Sequence, residues 1–361
     1  MKIGFVLGTR PEIIKTSPVI KQLQKEKINF FIIHTGQHYS YFMDKTFFEE
    51  LNLPNPEYNL NIGSGTHGKQ TGKMLEKIGE VLLKEKPEIV IVQGDTNSTL
   101  AGALAATKLR IHVGHIEAGL RSFDMIMPEE KNRKLTDHIS NFLFCPTNNS
   151  KENLNNEGID DNIIYITGNT IVDVLVDQIQ NLKSIQKEIL NELDLEKKDY
   201  FLMTLHREEN VDYTQKLRLI IKSLKEIYKK YNLPIITPIH PRTKKMLDRF
   251  NIKIPPGVIL IDPQPYSTFL TLEANSKLIL TDSGGIQEEA CILRVPCVTL
   301  RESTERPESI KVGANILVGT ESETILKGVE KMLNVDRNWD NPFGDGKASK
   351  KIIEIIKNNF K

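Results

Sequence analysis

Residues 2–12 read KIGFVLGTRPE. A short apolar run stops at Gly8, and Pro11 then opens a stretch of helical character, since proline fits the first turn of a helix and disrupts the interior. A continuous apolar strand followed by a helix is the repeating unit of a parallel sheet covered on both faces. The unit recurs. Residues 30–35 (FFIIHT), 88–92 (EIVIV), 111–116 (IHVGHI), 142–145 (FLFC) and 163–167 (IIYIT) are strand-like, and alanine-rich 97–109 reads as a helix. The pattern restarts after Gly168, with a helix over 168–180 and a Lys-, Glu- and Leu-rich helical linker over 181–198. Strands follow at 200–205 (YFLMTL), 235–239, 258–261, 278–281 and 295–299, with a helix over 213–231. The expected fold is α/β, with two Rossmann-like doubly wound domains facing a central cleft. A last helix, about 347–360, has no strand after it.

Length and composition agree. At 361 residues the chain holds about two domains of ordinary size. Lys and Arg number 48 against 47 Asp and Glu, a net charge of +1 that speaks against a nucleic-acid partner. No apolar run approaches the roughly 20 residues that span a bilayer, and the N-terminal run is too short for a signal peptide. A cytoplasmic protein without a membrane partner is expected. Cys145, Cys291 and Cys297 form no CxxC pair and read as small core residues.

In open parallel sheets ligands bind beyond the carboxyl ends of the strands. Seven such ends carry small polar or ionisable residues: 8–12 (GTRPE), 36–38 (GQH), 93–96 (QGDT), 117–121 (EAGLR), 206–210 (HREEN), 240–242 (HPR) and 282–285 (DSGG). At Gly8-Thr9-Arg10, small residues let backbone N–H groups face a ligand and Arg10 offers a planar fork for phosphate. At Asp282-Ser283-Gly284-Gly285, Ser283 is expected to cap a helix whose positive end a diphosphate could approach closely. Glu289, two turns on, could take ribose hydroxyls or be an ordinary surface residue.

Three carboxylates stand out. Asp95 and Glu117 end buried strands that look adjacent, and Glu129 follows Pro128 at a helix start with Arg133 one turn later. Asp95 could instead be an N-cap, and Glu129 could compensate the helix dipole and pair with Arg133. Turned towards a phosphate-lined site, all three are acid–base candidates. Gly63, Gly65 and Gly68 match G-x-G-x-x-G, but 57–62 is too polar for the strand that a dinucleotide fingerprint requires, so a mobile loop is expected. His112 and His115, three apart on a strand, face opposite ways and make no metal site. Neither a metal nor a redox cofactor is expected.

GTRPE (8–12), QGDT (93–96), GHIEAGLR (114–121), PEEKNR (128–133), ITGNT (166–170), HREEN (206–210), TDSGGIQEEA (281–290) and TERPE (304–308) together resemble, in order and over nearly the whole chain, the non-hydrolysing UDP-N-acetylglucosamine 2-epimerases. The resemblance implies a glycosyltransferase-B-like fold. The first domain would take 1–168 plus 346–361, with the last helix returning to it, and a UDP-binding domain would take 169–345. It implies that Asp95, Glu117, Glu129 and His206 are catalytic. Arg10, Lys15, Arg133, Arg207, Gln264, Phe269, Ser283, Gly284, Gly285, Glu289 and Arg306 would hold the substrate. It further implies the partners UDP-N-acetylglucosamine, UDP-N-acetylmannosamine and UDP, and a homodimer. Some bacterial members bind a second UDP-N-acetylglucosamine as activator, and Gln37, Lys69, Gln70 and His240 are the matching positions. Tyr39 and Lys69 depart from the bacterial pattern, and a lysine for an arginine loses bidentate geometry. Weak or absent activation is therefore expected. Glycosyltransferase, hydrolysing and non-catalytic sensor readings remain open on the same fold.

Overall fold

The computed structural model describes residues 1–37 and 41–360. The chain divides into two units, Met1–Val176 with Phe343–Lys361, and Asp177–Pro342. In the first, strands β1 (Lys2–Leu7), β2 (Asn29–His34), β3 (Tyr58–Asn59), β4 (Ile89–Gln93), β5 (His112–Ile116), β6 (Phe142–Cys145) and β7 (Ile164–Ile166) form one sheet in the order 3-2-1-4-5-6-7. In the second, β8 (Phe201–Thr204), β9 (Ile235–Pro238), β10 (Val258–Ile261), β11 (Leu278–Thr281), β12 (Cys297–Thr299) and β13 (Asn315–Leu317) run 10-9-8-11-12-13. All pairings are parallel, as in Ile3 opposite Ile89 and Leu278 opposite Phe201. Each sheet reverses direction once, between β1 and β4 and between β8 and β11. At such a reversal the helices diverge to opposite faces and leave the strand ends open.

Burial explains the apolar strands. Val6, Ile33, Val90, Val92 and Val113 pack under Met74, Ile78 and Leu82 of the helix His67–Glu85 and the alanines of Asn97–Lys108. In the second unit, Leu217, Ile220, Leu224 and Ile227 stripe one face of Thr214–Tyr231 and close over Phe201 and Met203. The three cysteines are buried. Burial pushes the Cys291 and Cys297 thiols up to about 12, away from reactivity.

Several boundaries differ from the sequence reading. Residues 57–62, expected to be loop, contain the two-residue edge strand β3, which pairs with β2 at Ile33 and His34. The third glycine of the G-x-G-x-x-G match lies in the first turn of His67–Glu85, on an edge strand's connection and away from the sheet reversal. One helix, Thr170–Glu192, replaces the expected helix and linker. Its first two turns belong to the first unit, so that unit ends at Val176, eight residues beyond the expected 168, and resumes at Phe343. The cause is Asp173, which accepts hydrogen bonds from the Ala348 and Ser349 N–H groups at 3.1 and 2.9 Å and so caps the last helix, Ala348–Asn359. That helix returns to the first unit, where Lys357 pairs with Glu26 at 2.7 Å and Phe360 meets His112. Among the described residues no helix is long and apolar enough to cross a membrane.

Candidate active site

The first unit gathers its polar residues at the ends of β1, β4 and β5. Glu117 follows β5, is buried, and has a left-handed backbone with φ of +68°. That conformation costs a non-glycine residue about 1–3 kcal/mol and must be held by its surroundings. The Lys15 ammonium, from the helix Arg10–Glu26, pairs with Glu117 Oε1. Asn169 Nδ2 donates to the same oxygen at 3.3 Å, and Gln93 Nε2, at the end of β4, donates to Oε2 at 2.5 Å. All three side chains present N–H donors to Glu117 and fix its orientation. Lys15, expected on substrate, is thus anchored on Glu117.

Asp95 lies one turn beyond β4, the direct neighbour of β5. Its carboxylate pairs with Arg133, which also donates to Glu130 at 2.6 Å. Asp95 is not the cap of the following helix. Thr96 takes that role, accepting from the Thr99 N–H at 3.2 Å. Glu129 stands half-buried in the first turn of Pro128–Ile139. Glu130 beside it is fully buried and ties down the preceding loop through the Ser122 and Phe123 N–H groups, each at 3.0 Å.

Glu12 belongs to the 8–12 strand end but was not among the expected site residues. It is buried and accepts from the Gly8 N–H at 2.8 Å, Thr96 Oγ1 at 2.7 Å and Thr99 Oγ1 at 3.0 Å. Burial raises its pKa, and these hydrogen bonds oppose the shift. The Gly8 amide, expected to face a ligand, is therefore engaged. Gly8 is needed for packing: an added Cβ would stand 2.0 Å from Ser98 Oγ. Arg10 lies with its guanidinium over the Phe47 ring, 4.1 Å from the centroid, which orients the fork. His115 was set aside as a metal ligand. It is buried, pairs with Asp137 at 2.7 Å and donates from Nε2 to the Gly94 carbonyl at 2.8 Å.

The second unit places its residues just beyond the ends of the paired strands β8 and β11. Asp282, fully buried after β11, accepts from the His206 and Arg207 N–H groups at 3.0 and 2.8 Å and pairs with His206 Nδ1 at 3.0 Å. Burial pushes the Asp282 carboxyl up, but the His206 ring and these donors outweigh it and hold the group at about 2. Ser283 occupies the N-cap of Gly284–Ile292 without a side-chain capping bond, contrary to expectation. Its N–H is turned back to Thr281 Oγ1 at 3.0 Å. A Cβ on Gly284 would meet Arg306 Nη1 at 2.7 Å, whereas one on Gly285 would meet nothing within 4 Å. Gly284 serves the protein's own packing, and Gly285 leaves the helix end open. Arg306 is buried behind this turn, bonded to Glu288 at 2.9 Å and Glu305 at 3.1 Å.

Glu289, one turn from the end of that helix, accepts from the Tyr266 hydroxyl at 2.9 Å. Burial, then Glu289 and Glu273, push the Tyr266 hydroxyl up. Phe269, on Tyr266–Asn275, packs at the margin of the cluster around Leu272 and Ile279. Gln264 donates to the Asp262 carbonyl at 2.7 Å in the preceding turn.

The residues matched to a second nucleotide-sugar site divide between the units. Gln37 is buried, accepting from Ser98 Oγ at 2.7 Å, and Gln70 donates to the Gln37 carbonyl at 2.8 Å. Lys69 is exposed beside Gln70. His240 belongs to the second unit, caps Pro241–Arg249 through Nδ1, and lies 5.5 Å from the His206 ring. Tyr39 lies outside the described residues.

Two doubly wound parallel sheets in one chain, each presenting polar residues at its reversal point, define an α/β protein of the glycosyltransferase-B-like, nucleotide-binding class. The family profile described as UDP-N-acetylglucosamine 2-epimerase matches residues 21–357. The chain is 59% identical to the UDP-N-acetylglucosamine 2-epimerase of Methanocaldococcus jannaschii, over 99% of both sequences. It is 44% identical to the UDP-2,3-diacetamido-2,3-dideoxy-D-glucuronate 2-epimerase of Pseudomonas aeruginosa, again over 99% of each. The crystal structure of the M. jannaschii enzyme in complex with UDP-GlcNAc and UDP superposes with a TM-score of 0.93, covering 99% of both chains. The Neisseria meningitidis enzyme bound to UDP-GlcNAc superposes with a TM-score of 0.90 at 37% identity, covering 99% of this chain and 100% of that one. The protein belongs to the UDP-N-acetylglucosamine 2-epimerase family.

Proposed function

We propose that the protein reversibly inverts C2 of UDP-N-acetylglucosamine to give UDP-N-acetylmannosamine, by elimination of UDP to a 2-acetamidoglucal and re-addition. The observation that carries this reading is the pair of carboxylates at neighbouring strand ends: Glu117, bonded by Lys15, Gln93 and Asn169, and Asp95 beside Arg133. The C2 hydrogen is not adjacent to a carbonyl carbon and is barely acidic. Cleavage of the C1–O bond places positive character at C1, and the C2 proton then becomes removable. The C1–O electron pair leaves with UDP, the C2–H pair forms the C1=C2 double bond, and the proton passes to an enzyme base. Re-addition of UDP at C1, with protonation of C2 from the opposite face, gives the epimer. Fixed carboxylates stabilise the cationic stage without reorganising.

Asp95, Glu117 and Glu129 share the proton transfers and the cationic charge. Arg10, Arg207, His206 and the helix end at Ser283-Gly284-Gly285 take the diphosphate. Asp282 fixes the His206 ring, so Nε2 meets the leaving oxygen. Glu289 takes the ribose hydroxyls, and Gln264 and Phe269 take the uracil. Lys15 and Arg133 act through Glu117 and Asp95, and Arg306 supports the phosphate turn from behind. The active form is a cytoplasmic homodimer, with mass in solution as the check on assembly.

The test is incubation with UDP-N-acetylglucosamine, with products read by NMR. Appearance of UDP-N-acetylmannosamine, approaching one equilibrium mixture from either epimer, supports the reading. Free N-acetylmannosamine with matching UDP indicates hydrolysis, and an unchanged substrate overturns epimerisation.

A further inference from the structure

Glu273 is fully buried on the helix Tyr266–Asn275, and neither of its carboxyl oxygens meets a hydrogen-bond donor among the described residues. A buried carboxyl of this kind costs stability unless it carries a proton and finds an acceptor. Tyr266 lies two helical turns before Glu273, on the same buried face. The Tyr266 hydroxyl donates at 2.9 Å to Glu289 Oε1, on the following helix Gly284–Ile292. Burial, and then the charge of Glu289, push the Glu273 carboxyl well above the usual carboxylate range. The other groups that feel Glu273 are weak acids, Tyr200 ahead of β8 and Cys297 on β12. Burial foremost, with the Glu273 charge added, raises both. Lys198, at the carboxyl end of the helix, turns its ammonium to the Ala274 and Ser276 carbonyls, each at 2.8 Å.

We propose that Glu273 is a positioning residue for the nucleotide: as a carboxylic acid it donates its O–H to Glu289 and so fixes the carboxylate that takes the ribose hydroxyls. The proposal rests on the assignment of Glu289 to ribose above. Two carboxyls in one apolar pocket do not both ionise. Glu289 has a donor in Tyr266 and Glu273 has none, so the charge settles on Glu289 and the proton on Glu273. A neutral carboxylic acid can donate, and a bond from its O–H to a carboxylate is short and strong. Glu289 then keeps its full charge and a single orientation, which recognition of neighbouring hydroxyls by one carboxylate requires. The stability that a second buried carboxyl costs is offset by what it does for the ligand. Every group involved belongs to the second unit.

Three variants test this by calorimetry with UDP and 2′-deoxy-UDP. Glu289→Gln reads the ribose assignment by itself: the preference for UDP over 2′-deoxy-UDP should fall. Glu273→Met keeps the length of the side chain and removes its O–H. The Kd for UDP should rise roughly tenfold, the worth of about one charge-assisted hydrogen bond, and the preference over 2′-deoxy-UDP should shrink. Its melting temperature should hold or rise, because a polar group has left an apolar pocket. Glu273→Gln, whose amide can donate in place of the acid, should bind UDP within roughly threefold of the wild type. Unchanged UDP affinity and preference in Glu273→Met overturns the proposal. A loss shared equally by both nucleotides and accompanied by a lower melting temperature assigns Glu273 to packing and also overturns it, as does a Glu273→Gln variant as weak as Glu273→Met. An unchanged preference in Glu289→Gln removes the ribose assignment and this proposal with it.

Discussion

The reversal points of the two sheets are built alike and used differently. At the ends of β4 and β5, beside the first unit's reversal, the carboxylates are already paired: Lys15 and Gln93 on Glu117, Arg133 on Asp95. Between β8 and β11 the second unit spends its buried carboxylate, Asp282, on holding backbone and His206 in place, and leaves a helix end uncapped at Ser283 with open space over Gly285. One strand order thus supports two chemistries. Fixed negative charge suits a developing cation, and an open helix end with a braced histidine suits an anion. Which chemistry a reversal point takes depends on whether its polar groups face one another or a ligand.

Replacing Glu117 breaks the comparison most strongly. Glu117→Gln sets an amide against the donors Lys15, Gln93 and Asn169. Turnover should fall about 10²- to 10⁴-fold, the usual worth of a positioned proton-transfer group. UDP affinity by calorimetry should stay within a few-fold, because the residues assigned to the nucleotide do not include Glu117. Near-normal turnover would make Glu117 structural.

In the second unit, Asp282→Asn should cost stability. It removes the buried partner of His206 and replaces an acceptor of two backbone N–H groups, a loss of about 3 kcal/mol in urea unfolding. The pH dependence has a fixed sign. The folded-state pKa, about 2, lies below the unfolded value near 4. Asp282 therefore stabilises fully above about pH 4, and its contribution is lost as the pH falls through about 2. The gap between wild type and variant should narrow over that interval, and a gap independent of pH would contradict the pairing.

Smaller effects sharpen the division. Ser283→Ala and Arg10→Ala should each weaken UDP binding by about 1–3 kcal/mol if a charge-assisted hydrogen bond is lost. Unchanged affinity in both would remove the phosphate assignment from each unit. The smallest expected effect concerns activation. Gln37 and Gln70 are bonded to their own unit, and Lys69 lacks the bidentate fork. Starting from pure UDP-N-acetylmannosamine, the reaction should show little lag. A long lag abolished by a trace of UDP-N-acetylglucosamine would show a functioning second site.

The alternation of apolar strands and helices made both sheets legible, because a strand buried on both faces writes itself as an apolar run. β3 and β13 escaped because both are short: Tyr58–Asn59 is a two-residue edge strand, and Asn315–Leu317 at the edge of the second sheet has three. The helix Thr170–Glu192 was divided at a polar stretch that does not end it. The carboxylates Asp95 and Glu117 could be picked out because they end strands. The groups that brace the site could not. In sequence, Glu12, Gln93, Asn169 and Asp282 look like any solvated polar residue at a strand end or turn, and only burial and tertiary hydrogen bonds give them a role. Ser283 shows the converse: a favourable capping residue in a capping position makes no side-chain cap bond, and its N–H instead donates to Thr281 Oγ1.

The central claim, that C2 loses its hydrogen to this protein and regains one, is tested most directly in deuterated water. The wild-type protein is incubated with UDP-N-acetylglucosamine and the C2 position of both epimers is followed by NMR. Carboxylic acids and imidazolium groups exchange with solvent, so deuterium should enter C2 of the product and, through reversal, C2 of the remaining substrate. With Glu117→Gln the incorporation should slow in step with turnover. Sustained interconversion of the two nucleotide sugars with no deuterium at C2 would contradict elimination and re-addition.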